Sequence, residues 1–184
     1  MQKIARLSYL ILSILFIVSC TPKPSIENLT HSIKTQISEI DGDVAVAFID
    51  LSNTENQILI NVDEKFHAAS TMKIPVMIEL YKQRSEGKIN LNDSILLKNE
   101  FKSIVDQSSY SMDIGDDSDD VIYSKIGTKQ KMYDLMFSMI TVSSNLATNV
   151  LIELVDAKKT TATMRTLGAV NIEVLRGVED QKAY

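Results

Sequence analysis

Apolar positions in this chain change between helical and strand-like spacing, and this pattern predicts most of its secondary structure. Residues 26–40 carry isoleucine or leucine at every third or fourth position, which is typical of an amphipathic helix, and Ser25 is suited to cap it. Residues 44–49 (VAVAFI) are almost wholly apolar and predict a buried strand. Residues 57–62 predict a second strand that pairs with the first as a hairpin.

The middle of the chain is predicted to be mainly helical. A helix should run from Ser70 to about Glu86, because Pro75 is tolerated only near the first turn of a helix. A short strand is expected at residues 95–97. On the helix, the apolar residues that we expect to be buried are Ile74, Met77, Ile78 and Tyr81.

The second half of the chain predicts a loop and then three more helices. Residues 103–124 predict a surface loop, and the aspartates between 113 and 120 indicate a solvated acidic segment rather than a calcium site, because their spacing misses the EF-hand pattern. Thr128 should cap a helix whose apolar stripe is rich in methionine, which we interpret as core filling. Further helices are predicted after residue 149 and at residues 160–167, the latter closed by Gly168.

Length and composition indicate a globular protein rather than a disordered or nucleic-acid-binding one. The chain has 184 residues, of which 45% are hydrophobic and 23% are charged, which is enough for one domain with a core. Its net charge is −5 and no basic patch stands out, so nucleic acid is not an expected partner. We expect a monomer.

The first 24 residues predict export. Lys3 and Arg6 precede an apolar run, residues 7–18, that is too short to span a membrane. Residues 17–20 (IVSC) resemble a lipobox, so residues 1–19 are predicted to be a lipoprotein signal peptide and Cys20, the only cysteine, the lipidated first residue of the mature protein. Residues 20–24 would form a short tether. The expected location is a membrane-anchored lipoprotein facing the periplasm or the cell exterior; a plain signal peptide with a chance cysteine is the alternative.

Ser70 and Lys73 are the first candidates for catalysis. Three residues apart on a helix, their side chains share one face, one turn apart. The start of a helix offers unpaired N–H groups beside which an oxyanion could form, and a desolvated lysine can act as a base near neutral pH. The same spacing recurs at Ser85 and Lys88, at the wrong end of the helix, where Gly87 indicates the C-terminus. An ordinary N-cap is the alternative role for Ser70.

A second candidate segment, residues 141–149 (TVSSNLATN), is a polar break between two apolar helices. A short loop between buried helices can hold Ser143 and Asn145 facing a pocket. The alternative is a helix-to-helix turn in which serine and asparagine act as caps.

Together the two segments resemble a known family. Ser70-Thr71-Met72-Lys73, followed by Ser143-Ser144-Asn145, is similar to the first two motifs of the class A beta-lactamases and penicillin-binding serine hydrolases. The surrounding sequences HAASTMKIPV and MITVSSNLATNVLIEL also match, and LRGVED resembles the start of the family's omega loop. The resemblance implies an α/β fold of the α+β type, in which a sheet flanked by helices adjoins an all-helical lobe and the active site lies between them.

The resemblance also implies a role for each candidate residue. Ser70 would be the acylated nucleophile and Lys73 its base, while Ser143 would relay a proton to the leaving lactam nitrogen. Asn145 would hold the Lys73 side chain or the substrate amide. Glu179 is the candidate for the glutamate that activates water for deacylation, with an ordinary surface glutamate as its alternative. The substrate would be a beta-lactam or a cell-wall peptide, and no metal or other cofactor is implied.

The chain departs from the family pattern at several points. Ser144 stands where the family has aspartate, and the acidic stretch at 113–120 resembles an insertion. The third motif, Lys-Thr/Ser-Gly on a strand, is absent, and so are the C-terminal strands of the sheet. Residues 25–184 therefore resemble the N-terminal portion of a longer hydrolase domain. We expect these residues by themselves to be unstable or inactive.

Three functions remain open at this stage. The first is a beta-lactamase that deacylates quickly, and the second is a cell-wall DD-peptidase that acylates but releases penicillin slowly. The third is a truncated, non-catalytic lipoprotein that binds cell-wall material or a protein partner. A Ser-His-Asp esterase is not favoured, because His31 and His67 are the only histidines and neither has a suitable partner pattern.

Overall fold

A computed structural model describes residues 25–183 of the chain. The predicted signal peptide, Cys20 and the tether at 20–24 lie outside the described residues. The chain divides into two compact units, Met1–Phe66 and His67–Tyr184. None of the helices within the described range is long and apolar enough to cross a membrane.

The first unit contains a helix and a hairpin. Helix α1 (Ile26–Ile37) begins at Ser25, whose side chain accepts a hydrogen bond from the Asn28 N–H at 3.1 Å, so the predicted cap is confirmed. The helix ends three residues before Ile40, earlier than the apolar pattern predicts. Strands β1 (Val46–Ile49) and β2 (Gln57–Ile60) pair antiparallel, which confirms the predicted hairpin.

The prediction that β1 is a buried strand is wrong for the residues described. Val46 is half-buried and the next three residues of β1 are exposed, whereas Ile58 and Ile60 of β2 are buried. The reason is topological: in the described part of the chain β1 pairs with β2 and has no strand on its other edge. A two-stranded ribbon has too few neighbours to cover both of its faces.

The second unit is a helical core with two small strand pairs. A 3₁₀ turn (Ala69–Met72) leads into helix α2 (Lys73–Ser85), and later come α3 (Met132–Thr141), α4 (Asn145–Val155) and α5 (Ala157–Thr166). Strand β3 (Ser94–Leu96) pairs with β6 (Lys129–Lys131), and β4 (Phe101–Lys102) pairs with β5 (Ser109–Tyr110). The buried core residues that α2, α3 and α4 share include Val76, Leu80, Met139, Leu146 and Leu151.

The buried side of α2 differs from the prediction. Ile74 is 50% exposed and Tyr81 is 42% exposed, while Lys73, Glu79 and Gln83 are buried. These polar groups are buried because each has partners: the Glu79 carboxylate, for example, accepts hydrogen bonds from Gln83 Nε2 at 2.7 Å and Thr163 Oγ1 at 2.5 Å. An apolar pattern cannot reveal a helix face that is buried through polar contacts.

Helix α3 starts later than predicted and without the predicted cap. Thr128 is not the N-cap: its hydroxyl bonds the Lys125 carbonyl oxygen at 2.6 Å, and residues 129–131 form β6 instead. The first N–H groups of α3 find partners in the residues just before β3: the Met132 N–H donates to the Asp93 carbonyl oxygen, and the Tyr133 N–H donates to the Leu91 carbonyl oxygen. The predicted role of the methionines is confirmed, because those at 132, 136 and 139 are buried in the core.

The segment 103–124 is more structured than a surface loop. It contains β5 and two 3₁₀ turns, Ile114–Asp116 and Val121–Lys125, and it buries Ser103, Met112 and Ile122. The described residues contain no group of three or more histidine, cysteine, aspartate or glutamate side chains that could hold a metal ion.

Candidate active site

Ser70 lies in the 3₁₀ turn that precedes α2, with its side chain exposed. The preceding residue, Ala69, has a φ of 45°, a left-handed conformation that is uncommon for alanine. Ser70 does not cap either helical segment, since Ala68 and Met72 hold those positions and neither makes a side-chain cap bond. Its hydroxyl instead lies 2.9 Å from the Ser143 hydroxyl.

Lys73 is the centre of a compact polar cluster. It is only 2% exposed, and its Nζ has four oxygen neighbours. Two are amide oxygens, the Ser143 backbone oxygen at 2.6 Å and Asn145 Oδ1 at 2.8 Å, and two are hydroxyls, Ser143 Oγ at 2.8 Å and Ser70 Oγ at 3.3 Å. The structure therefore brings Ser70, Lys73, Ser143 and Asn145 together, although Lys73 and Ser143 are 70 residues apart in the sequence.

The cluster can accommodate a neutral amine on Lys73. Burial lowers the pKa of Lys73 below its usual value of 10.5, while the charge of Asp117 opposes this shift. A neutral amine has two N–H donors and one lone pair. The two amide oxygens can only accept, so they take the two donors, and the lone pair is left to the hydroxyls. This arrangement can accept a proton from Ser70 through Ser143.

Ser143 and Asn145 are held by the junction of α3 and α4. Ser143 has a φ of 62°, which turns the chain sharply between the two helices. Ser144 is the N-cap of α4, and its hydroxyl accepts the Ala147 N–H at 3.3 Å. Asn145 is then the first residue of α4, and its side chain is directed to Lys73. Capping is therefore the role of Ser144, whereas Ser143 and Asn145 contact the lysine.

The acidic segment contributes a residue that the sequence analysis missed. Asp117 accepts hydrogen bonds from the backbone N–H groups of Asn145 at 2.9 Å and Leu146 at 2.8 Å, and from the Tyr123 hydroxyl at 3.0 Å. Burial, and then the charge of Asp117, raise the pKa of Tyr123, so this phenol stays protonated as a donor. The interpretation of the segment as wholly solvated is wrong, and no sequence signal separates Asp117 from the aspartates beside it.

Glu179 is not joined to the cluster. It is half-buried with a φ of 59°, and its carboxylate accepts a hydrogen bond from Gln181 Nε2 at 3.0 Å. Within residues 25–183 no hydrogen bond or ion pair links Glu179 to Ser70 or Lys73.

The segment around Glu179 is nevertheless firmly attached to α4. Asn149, fully buried on α4, donates from Nδ2 to the Val178 oxygen at 3.0 Å and accepts the Val178 N–H on Oδ1 at 2.6 Å. Asp180 is 2% exposed and accepts the Ile104 N–H at 2.9 Å. The residues on both sides of Glu179 are thus fixed by buried polar contacts.

The other candidate residues have structural roles. At the second Ser-x-x-Lys, the Ser85 hydroxyl bonds the Lys82 oxygen at 2.7 Å and Lys88 pairs with Glu86 at 2.6 Å, so the pair does not form a second catalytic site. Gly87, with a φ of 70°, ends α2 as predicted, and the Lys88 N–H returns to the Gln83 oxygen at 2.9 Å. His67 accepts the Ala69 N–H on Nδ1 at 3.3 Å.

The family is decided by a match over most of the chain. Residues 28–183 match the model of the beta-lactamase enzyme family. The chain belongs to this family. This membership confirms the family resemblance that the two motifs indicated. No curated protein matches the sequence of this chain significantly.

Solved structures of the beta-lactamase fold are similar to this protein. A beta-lactamase from Sphaerobacter thermophilus is 24% identical over 82% of this chain and 52% of its own, with a TM-score of 0.65. An ancestral class A beta-lactamase is 22% identical over 83% and 54%, with a TM-score of 0.67. PBP-A is 21% identical over 89% and 58%, with a TM-score of 0.66, and a point mutant of PBP-A has been solved as an acyl-enzyme complex with penicillin G.

These likenesses confirm the predicted fold class. The mixed helices and small antiparallel sheets match those of class A beta-lactamases. The chain spans about half the length of the structures that it matches.

Proposed function

We propose that this beta-lactamase-like hydrolase opens beta-lactams through an acyl-serine intermediate on Ser70. One observation carries the proposal: the buried Lys73 amine lies within hydrogen-bond distance of both the Ser70 and Ser143 hydroxyls. A nucleophile, a desolvated base and a bridging hydroxyl in one cluster are what acyl transfer by a serine requires. The penicillin acyl-enzyme of a PBP-A mutant supports the substrate class.

Acylation would begin with proton transfer away from Ser70. The shorter route runs from Ser70 Oγ to Ser143 Oγ, 2.9 Å, and from Ser143 Oγ to Lys73 Nζ, 2.8 Å, whereas the direct distance to Lys73 is 3.3 Å. As Ser70 Oγ forms a bond to the lactam carbonyl carbon, its proton passes to Ser143 and the Ser143 proton passes to Lys73. The product of this step is a tetrahedral oxyanion and a lysine ammonium.

Ring opening would use the same groups in reverse. The carbon–nitrogen bond of the lactam breaks, and the leaving nitrogen takes a proton from Ser143, which is replenished from the Lys73 ammonium. Asn145 Oδ1 and the Ser143 backbone oxygen stabilise that ammonium while it exists. The result is an ester on Ser70, a secondary amine and a neutral Lys73.

Deacylation separates two versions of the proposal. In the beta-lactamase version, Glu179 removes a proton from a water molecule that attacks the ester. In the second version, a DD-peptidase-like hydrolase, penicillin is released slowly. The Glu179 carboxylate bonds Gln181 rather than the Ser70–Lys73 cluster, and this observation favours the slower version.

Intact-mass spectrometry of the full-length protein mixed with a penicillin would test both versions. An adduct on Ser70 that forms and disappears as hydrolysed drug accumulates would identify a beta-lactamase. A lasting adduct would identify the slow, DD-peptidase-like hydrolase. Ser70→Ala is the matched control, since Ser70 is exposed and its loss should leave the fold intact. If the wild-type protein forms no adduct, the proposal fails and a non-catalytic relative is favoured.

We also propose that the protein is exported and anchored by a lipid on Cys20. The apolar run at 7–18 and the lipobox-like IVSC support this proposal. Metabolic labelling with a fatty-acid analogue should mark the wild-type protein and not Cys20→Ser. Equal labelling of the two proteins would contradict the anchor.

A further inference from the structure

The acidic segment at 113–120 is tied by hydrogen bonds to both α3 and α4. Asp117 accepts two N–H groups from the start of α4, and Asp119 accepts the Ser138 hydroxyl of α3. The segment also supplies the Asp116 backbone oxygen to Asn145 Nδ2, at 3.3 Å. Asn145 is thus held by this segment through its backbone N–H and its side-chain amide, and by Lys73 through Oδ1.

Asp117 completes the N-terminus of α4. The first N–H groups of a helix have no partner within the helix. Ser144 satisfies Ala147, and the two oxygens of Asp117 satisfy Asn145 and Leu146 separately. The positive end of the helix dipole therefore meets a full negative charge, which the neutral Ser144 cannot supply. This charge comes from a residue 28 positions earlier in the sequence.

We propose that Asp117 is a positioning residue for the acylation site: it fixes Asn145 at the start of α4 and supplies the negative charge that balances Lys73 when Lys73 holds a proton. The proposal rests on the proposed acylation at Ser70, but the charge relation can be measured without any substrate. The groups that contact Lys73 directly are the neutral Ser70, Ser143 and Asn145. Asp117 bonds the backbone N–H of Asn145, whose side chain contacts Lys73, so its carboxylate lies one residue beyond this neutral shell. A carboxylate in this position favours the protonated amine of Lys73.

The variant Asp117→Asn removes the charge and leaves a side chain of the same size. The matched control is Asp120→Asn, which makes the same charge change in the same segment at an exposed residue that makes no cap bond. Both variants are compared with wild type by nuclear magnetic resonance of lysine labelled with carbon-13 at Cε, and Lys73→Arg identifies the Lys73 signal. The pH midpoint of that signal reports the protonation of Lys73 without any acylation.

We expect Asp117→Asn to lower the pH midpoint of the Lys73 signal relative to wild type, because the variant loses the carboxylate that favours the protonated amine. Asp120→Asn should leave the midpoint close to that of wild type, since an exposed charge is screened by solvent. Equal midpoints in the two variants would overturn the proposal. A second measurement uses substrate. Asp117→Asn should be acylated about tenfold more slowly at high pH, because the Asn145 N–H loses its hydrogen bond to the Asp117 carboxylate.

A second variant keeps the proposal testable if Asp117→Asn does not fold. The double variant Asp117→Asn with Ser144→Asp returns a carboxylate to the same helix N-terminus from the cap position. Folding and a Lys73 midpoint close to wild type in the double variant would support the role of the charge. A double variant that folds but keeps a lowered midpoint would refute it. Failure of the wild type to acylate would reject the proposed function and leave the midpoint comparison to decide on the charge.

Discussion

Gly177 is the position at which one added methyl group should be most disruptive. A Cβ at this residue would lie 2.3 Å from Asn149 Oδ1 and 2.7 Å from Asn149 Cγ, distances at which an atom must move. Asn149 is fully buried and bonds both the N–H and the carbonyl of Val178. Since Gly177 does not have a left-handed φ, alanine meets no left-handed backbone penalty there, and the clash is the main cost.

The size of the effect follows from the bonds that Asn149 would lose. Two hydrogen bonds contribute about 1 kcal/mol each, and leaving their partly buried partners on Val178 unsatisfied adds about 1–3 kcal/mol. We therefore expect Gly177→Ala to lower the free energy of unfolding by about 3–5 kcal/mol. That is a large part of the roughly 5–15 kcal/mol that holds a typical protein folded.

Urea denaturation followed by far-UV circular dichroism would measure this loss of stability. Circular dichroism is the suitable probe because the chain has no tryptophan for fluorescence. The matched control is Gly42→Ala, where an added Cβ has no atom within 4 Å, and it should be nearly neutral. A Gly177→Ala protein within about 0.5 kcal/mol of wild type, the usual range for a neutral surface change, would refute the clash. If Glu179 activates the deacylating water, the acyl-enzyme on Ser70 should also last longer in Gly177→Ala, because Val178 adjoins Glu179.

Three further outcomes are expected. Thr163→Val removes the donor to the buried Glu79 carboxylate and should lower the free energy of unfolding by about 1–3 kcal/mol in urea, whereas the exposed Thr166→Val should have little effect. Gly87→Ala places alanine at a φ of 70° with open space around it and should cost about 1 kcal/mol in the same assay; no loss would show that the turn relaxes. Because burial lowers the pKa of Lys73, the acylation rate should fall with decreasing pH through a midpoint below 10.5; a stopped-flow pH profile with its midpoint at or above 10.5 would contradict this.

The fold could be predicted from the sequence where local signals act. Ser25 begins α1 and Gly87 ends α2 because a cap and a left-handed glycine are decided by neighbouring residues. Thr128 failed as a cap because the first N–H groups of α3 find carbonyl oxygens from residues 91 and 93, far away in the sequence. A local pattern cannot report such partners.

In the candidate site, too, contacts within one segment could be predicted, whereas contacts between distant segments could not. Ser70 and Lys73 lie one helical turn apart, so their contact follows from spacing. Ser143 and Asn145 were candidates because they lie at a polar break between two helices, and the family resemblance gave them roles. Asp117 could not be found, because its role depends on how a loop folds back onto α4. The buried side of α2 was misjudged for a related reason, since Glu79 is stabilised by Thr163 from α5.

Three residues with left-handed backbone lie at the three segments proposed for catalysis: Ala69, Ser143 and Glu179. Such a conformation costs a non-glycine residue of order 1–3 kcal/mol. The backbone strain at the site therefore lowers the stability of the folded protein. A laboratory screen that rewards heat resistance and ignores chemistry should therefore enrich glycine at 69 and 143. The glycine at 143 would remove the hydroxyl between Ser70 and Lys73, and the most heat-resistant descendants of this protein would be inert.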